Sequence, residues 1–460
     1  MSSSSFRELA LGQVAHLGAT KFFARRQRGW LKRMTYTDAI QFLFDLRWFG
    51  TKFGLANTFK LAALAGNPQN QLRFIHVAGT NGKGSTCAML ESIYRASGLR
   101  VGLFTSPHLV SFGERLQVDR QHISESEVVQ LVVQLKPALD QFPAEEHPTF
   151  FEVVTVMALL YFVERKCDLV IWETGLGGRL DATNIVQPLA SVITNVHYDH
   201  QQWLGEKLSS IAFEKAGIIK PGIPAITATV EPEALEVIQE TAKAVQSPLS
   251  IVSPAELRQP PMSDLELPLL GSHQKWNAAL AMAVVRTLER VIPVRDEMIF
   301  RGLATVKWPG RLQVITRPSG QKILLDGAHN VSGAESLKAA VVEYFPAAGP
   351  VLILGILTDK DWLGMCQILA PMARRIFLVP VSSDRTAAPE QLRDACREAN
   401  ASAETTICDS LRAALQAVKE ESFIVVTGSL YLVGEAMEIL EGSLSSATDE
   451  RALNEWSAKV

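Results

Sequence analysis

Cysteine is scarce in this chain. Five residues (Cys87, Cys167, Cys366, Cys396 and Cys408) are scattered through 460 positions, with no CxxC pair and no zinc-ligand spacing. An odd, dispersed count suits reduced thiols in a cytoplasmic protein better than a disulfide framework. Long apolar runs are missing as well. The longest, Val153 to Val163, is broken only by Thr155 and falls short of the ~20 residues a membrane helix requires. Neither charge sign dominates: 45 Lys and Arg against 48 Asp and Glu leave a net −3, which gives no overall basic footprint for nucleic acid. The first 34 residues lack the uninterrupted apolar core of a secretory signal, and the basic cluster Arg25 to Arg33 reads as a solvated extension leading into the first helix. No internal repeat, coiled coil or apolar edge stands out, so a monomer is expected.

What is present is globular. Apolar residues make up 47% and charged residues 20%, and the length predicts two or three domains. Apolar runs of strand length alternate with helical stretches, the pattern of an α/β fold with a mostly parallel sheet. Phe74–Ala78, Arg100–Thr105, Asp168–Trp172, Ala190–Asn195 and Pro224–Thr229 read as strands, with helices over 85–96, 149–165 and 271–288. A second such pattern starts near Trp308, with strands at Lys322–Leu325, Val351–Leu354, Arg375–Val379 and Phe423–Val426. The boundary is expected near 300–309, dividing the chain into residues 1–305 and a smaller unit, 306–460. The polar tail after Gly442 is expected to fray or to end in one short helix.

The segment Gly79-Thr80-Asn81-Gly82-Lys83-Gly84-Ser85 follows a predicted strand and opens a predicted helix. A phosphate loop belongs there, because a helix N-terminus presents unpaired N–H groups and positive dipole. The glycines admit close backbone approach, and Lys83 supplies a point charge. The alternative is a glycine-rich turn with a solvent-facing lysine. Glu173 ends an apolar strand, where a Mg²⁺ ligand or a partner for Arg179 would sit. His200 also follows a strand, and a lone histidine there is ordinarily structural. Asp326 and His329 follow the first strand of the second unit, which fits either a site at the sheet edge or a capped turn. Lys215 reads as an ordinary surface lysine, and Phe150 and Phe151 read as core.

VAGTNGKGS, then TSPHL, then ETGLGGRLDATN resemble the folylpolyglutamate synthase/dihydrofolate synthase family of the Mur ligase superfamily. The resemblance runs over roughly residues 45 to 437. Gly84 carries it towards the folate branch, since the cell-wall enzymes usually place Thr or Ser directly after the loop lysine. It implies an N-terminal P-loop-type ATPase domain with a mostly parallel sheet and a smaller C-terminal Rossmann-like domain. It also implies ATP as substrate, two Mg²⁺ sites, a monovalent cation and a carbamylated Lys215. By the same resemblance Thr80 to Ser85, Asn277, Arg311 and Asp326 contact the nucleotide, and Ser106, Glu173 and His200 hold metal. His197 is close enough in the motif to be mistaken for His200. His329 serves the glutamate and phosphoryl region. Thr149, Phe150, Phe151 and Glu152, with Leu180, Asp181 and Ala182, match the pterin-contacting segments, and Gly54-Leu55 corresponds loosely to a third. Asp359-Lys-Asp361 and Gly428 to Gly434 also match family motifs and are expected to serve mainly the fold of the second unit.

The resemblance implies addition of L-glutamate to dihydropteroate and to reduced folates through an acyl phosphate. Another Mur-type ligase with a non-folate acceptor would keep this chemistry, although the matched pterin segments argue against it. A non-catalytic nucleotide-binding protein would be expected to lack Lys83, Glu173, His200 or Asp326, and all four are present.

Overall fold

A computed structural model describes residues 34–50, 54–346, 349–442 and 450–455. The basic cluster at 25–33 lies outside these. The first sheet contains β1 (Phe74–Ala78), β2 (Val101–Phe104), β3 (Leu116–Val118), β4 (Gln121–His122), β5 (Leu169–Glu173), β6 (Ala190–Ile193), β7 (Ala225–Thr227) and β8 (Leu249–Ile251). Its order is β4-β3-β2-β5-β1-β6-β7-β8, with β3 and β4 antiparallel at one edge and the other neighbours parallel. The second sheet holds β9 (Gln313–Thr316), β10 (Lys322–Leu325), β11 (Val351–Leu354), β12 (Arg375–Leu378), β13 (Glu404–Ile407) and β14 (Phe423–Thr427). It runs β13-β12-β11-β14-β10-β9, parallel except for β9.

The central strands are mostly apolar because helices cover both faces, with His76, Ser191 and Glu173 as buried exceptions. In β5, Val170 and Trp172 enter the core cluster with Phe74 and Phe104, while Leu169 and Ile171 point into the opposite cluster with Ile75 and Val77. Alternation across the pleat thus supplies both cores from one strand. The helix Phe150–Glu164 is buried along almost its whole length and starts at a capping box, in which Thr149 and Glu152 bond each other's backbone N–H.

The helix Lys83–Ala96 carries the glycine-rich loop, and the helix Asp296–Ala304 lies directly on it. A Cβ at Gly302 would stand 2.5 Å from Ile93 Cα, and Ser92 Oγ donates to the Gly302 carbonyl at 2.7 Å. Only glycine permits that approach. The connection from this helix to β9 is held at three points. Arg120 donates to the Lys307 carbonyl (2.9 Å), the Trp308 ring lies against Gly84, and Gly327 N–H donates to the Gly310 carbonyl (3.0 Å).

The tail does end in one short helix, a 3-10 turn at Glu450–Asn454. Within its described part, residues 450–455, Glu450, Leu453 and Glu455 are buried.

Candidate active site

One cavity of about 840 Å³ opens between the carboxyl ends of the two sheets. Loops following β1, β2, β5 and β6 face those following β10, β11, β12 and β14. Ligands collect at such edges because the loops converge there and helix N-termini point inward.

The loop after β1 takes the expected form, with the helix starting at Lys83 rather than Ser85. Gly82 caps it with φ +80°, and a Cβ there would lie 2.4 Å from Asn277 Oδ1. Lys83 Nζ donates to the Gly79 and Thr80 carbonyls (3.1 and 3.3 Å). Asn81 N–H donates to Asn195 Oδ1 (2.8 Å), and Thr80 Oγ1 donates to the His197 carbonyl at 3.1 Å. The loop is therefore braced on the segment after β6, and His197 lines the cavity together with His200.

Glu173 ends β5 and is buried, with Oε2 accepting from the Ser106 amide at 3.0 Å. Burial pushes its carboxyl up to about 7, although Lys83, Arg311 and Arg115 pull the other way. An oxygen-rich pair at two adjacent strand ends, with a carboxylate whose charge is costly to bury, fits a hard divalent cation. His200 lines the same cavity, but its ring turns to the second sheet's side: Nε2 is 3.4 Å from Lys360 Nζ and 3.8 Å from Asp199 Oδ1. Among the described residues no group of three or more His, Cys, Asp or Glu is arranged to hold a metal ion.

Lys215 departs from the expectation of a surface residue. It sits in the last turn of the helix Leu208–Ala216, buried, with Nζ donating to the Gly79 carbonyl at 2.9 Å. Burial, reinforced by the nearby Lys83 charge, brings its amine down to about 7. Much of it is then neutral at physiological pH, the form that reacts with CO₂.

The other matched segments also reach the cavity. Both oxygens of Asp326 accept backbone N–H groups, from Leu312 and Ala328 (each 2.9 Å), so the capped turn is real and presents His329. Arg311, Asn277, Gly54, Thr149 to Glu152 and Leu180 to Ala182 all line the walls. Within these, Glu152 closes the capping box and accepts from Thr58 Oγ1 (3.2 Å). Asp181 pins its own loop by accepting from the Leu176 and Thr183 amides (2.8 and 3.0 Å). Phe151 and Leu180 supply apolar surface.

Two motifs assigned mainly to the fold stand at the cavity instead. Ser429, Leu430 and Tyr431 line it. Lys360, from the loop after β11, donates to Asp199 Oδ1 at 2.6 Å, and Asp199 Oδ2 accepts from Asn330 Nδ2 at 3.1 Å. Asn330 in turn exchanges bonds with Asn81 of the phosphate loop. Asp199 thus joins the first sheet's site to the second sheet's. Its place directly before His200 was the only sequence signal for it.

A glycine-rich phosphate loop facing a second α/β unit across a shared cleft suits an enzyme that brings a nucleotide to a second substrate, and the sequence makes it a Mur-type ligase. Residues 77–250 match the Mur ligase middle domain and residues 310–430 the Mur ligase glutamate ligase domain. The chain is 36% identical to the dihydrofolate synthase/folylpolyglutamate synthase of Bacillus subtilis, over 88% of this chain and 99% of that one. It is 34% identical to the folylpolyglutamate synthase of Lacticaseibacillus casei, over 90% and 100%. Among solved structures, Escherichia coli FolC in complex with DHPP and ADP superposes with a TM-score of 0.78 at 31% identity, covering 90% of this chain and 99% of that one. The chain belongs to the folylpolyglutamate synthase/dihydrofolate synthase family.

Proposed function

We propose that this protein joins L-glutamate to dihydropteroate and to reduced folates at the expense of ATP. The observation that carries this reading is the single cleft that brings the phosphate loop, the apolar wall of Phe151 and Leu180, and the His329 turn together. The named relatives, folylpolyglutamate and dihydrofolate synthases that match nearly end to end, support the same substrate class.

A carboxylate is a poor electrophile, and activation as an acyl phosphate removes that barrier. The acceptor carboxylate attacks the γ-phosphorus of ATP and ADP leaves. The glutamate amine then attacks the acyl carbon and phosphate leaves. Both partners in the first step are anionic, so Lys83 and Arg311 lower the cost of their approach. Glu173 and Ser106 would hold Mg²⁺, which supplies further charge neutralisation when bound; His200, the third ligand the family resemblance implies, would join them by turning its ring away from Lys360. A carbamate on Lys215 would turn an amine beside the loop into an anion suited to a second divalent ion; intact-protein mass measured with and without bicarbonate tests for it.

His329 is the favoured base for the amine. Its Nδ1–H donates to the Gly327 carbonyl (2.8 Å), which leaves Nε2 to accept a proton beside Asp199, 3.6 Å away. Asp326 is engaged by two amides and is not free to act. Reacting groups come from both sheets, so closure of the cleft completes the site and keeps water from the acyl phosphate. Residues 1–305 and 306–460 are the two units that close.

The test is phosphate release from ATP, Mg²⁺ and L-glutamate with dihydropteroate or tetrahydrofolate in separate reactions, the products weighed by mass spectrometry. Turnover with both is expected. Turnover with tetrahydrofolate alone would remove the dihydropteroate activity, and silence with both would refute the folate reading.

A further inference from the structure

The C-terminal turn Glu450–Asn454 crosses back from the second unit to the first. At its start the Glu450 carboxylate accepts from Phe112 N–H (2.6 Å) and Tyr36 Oη (3.0 Å), and its carbonyl lies 2.9 Å from His108 Nε2. At its end the residues turn into the cleft, where Leu453, Asn454 and Glu455 line the cavity. Leu453 is 1% exposed and packs in the cluster that contains Phe150. Asn454 Oδ1 accepts from Arg115, whose guanidinium lies over the Phe150 ring at 5.4 Å. Glu455 receives Arg47 on its carbonyl (2.7 Å) and Arg385 on its carboxylate (3.1 Å), one arginine from each side of the cleft.

We propose that Leu453–Glu455 form a wall of the acceptor site and position the acceptor by fixing Phe150 and three arginines around it. A staple joining the two units would need only the Glu450 anchor. Arg451 adds an ion pair to Glu438 (3.2 Å) and Asn454 Nδ2 donates to the His108 carbonyl (2.9 Å), both away from the cavity, but the contacts to Arg47, Arg115 and Arg385 run to residues that face it. The inference rests on the reading of the Thr149–Glu152 end of the cavity as the acceptor's.

The experiment uses the full chain with Leu453→Ala, Asn454→Ala, the milder changes Leu453→Met and Asn454→Asp, and Phe151→Ala, a cavity residue of the Thr149–Glu152 wall itself. The Michaelis constants for dihydropteroate and for ATP, and the thermal midpoint, are measured for each. The alanine variants at 453 and 454 raise the acceptor constant about tenfold and leave that for ATP within twofold. Leu453→Met keeps the packing and stays near wild type; Asn454→Asp keeps the oxygen that receives Arg115 but loses the Nδ2 donor to the His108 carbonyl (2.9 Å), so it falls between wild type and Asn454→Ala. Equal changes in the two constants, tracking a lowered midpoint, would reduce the turn to a staple and overturn the proposal. If Phe151→Ala raises the acceptor constant while the 453 and 454 variants do not, the wall fails and the acceptor reading stands. If Phe151→Ala also leaves it unchanged, both fall.

Discussion

Asp199 and Lys360 meet across the cleft with each side chain under one-tenth exposed and 2.6 Å between charged atoms. Burial works to raise the Asp199 pKa, but Lys360, with His200 and His329 beside it, holds the carboxyl well below the ordinary range. At an effective dielectric near 20, charges at this separation attract by about 6 kcal/mol before desolvation is counted. Removing one partner strands the other as a buried charge, at a cost of about 3–5 kcal/mol. Asp199→Asn and Lys360→Met should therefore each destabilise by about 3 kcal/mol. The double variant should lose about 2–3 kcal/mol less than their sum. Urea unfolding of the four proteins at pH 7.5 measures the coupling. Additivity within about 0.5 kcal/mol would refute the pair as a joint between the two halves of the site.

Three further outcomes follow from the geometry. Lys83→Ala should abolish ADP formation while leaving the thermal midpoint nearly unchanged, because Nζ bonds only two loop carbonyls; a large stability loss with retained turnover would contradict the phosphate-loop role. Gly84→Ala places a Cβ 2.8 Å from the Trp308 ring and should cost about 1–3 kcal/mol in thermal melts, and the cost should largely vanish in a Trp308→Leu background. His76 is fully buried 2.9 Å from Thr183 Oγ1, and burial, with Lys220 adding to it, lowers its pKa to about 3. Above the unfolded pKa of ~6.5 neither state protonates it; as pH falls towards 3 the unfolded state takes up a proton the folded state refuses, so stability declines. This one group accounts for about 2 kcal/mol between pH 6.5 and 5, and His76→Gln should flatten the urea-midpoint profile there.

The central strands were readable because burial on both faces makes them continuous apolar runs, as in Leu169-Val-Ile-Trp172. Most strands that sequence reading missed (β4, β8, β9 and β13) lie at edges, and the buried β3, next to an edge, is only three residues long. Gln121–His122 is two exposed residues, and Glu404–Ile407 (ETTI) is half exposed, so no apolar signal marks them. The loop glycines and Glu173 were legible because a strand end and a helix start bracket them locally. Lys215 and Lys360 were not, since their burial depends on contacts 136 and 161 residues away in the chain. Glu152 and Asp181 illustrate a third case: the motif positions face the cavity as expected, while their carboxylates are engaged in holding their own backbone. The short helix of the tail was one of the two outcomes expected, but the burial of Glu450, Leu453 and Glu455 was not legible, because they sit among polar residues.

The connection between the sheets is pinned to the first at Lys307 and Trp308 and to the second at Gly310. Only Pro309 lies between the pins, and its ring fixes φ near −65°. A joint so confined works as a door hinge rather than a ball joint, with the ψ rotations of Trp308 and Pro309 as its axes. Relative orientations of the two halves should then be confined to those that these two torsions and the C-terminal turn allow. Because Trp308 also rests on Gly84, this joint and the floor of the phosphate loop are in direct contact, and a substitution that moves one should be felt at the other.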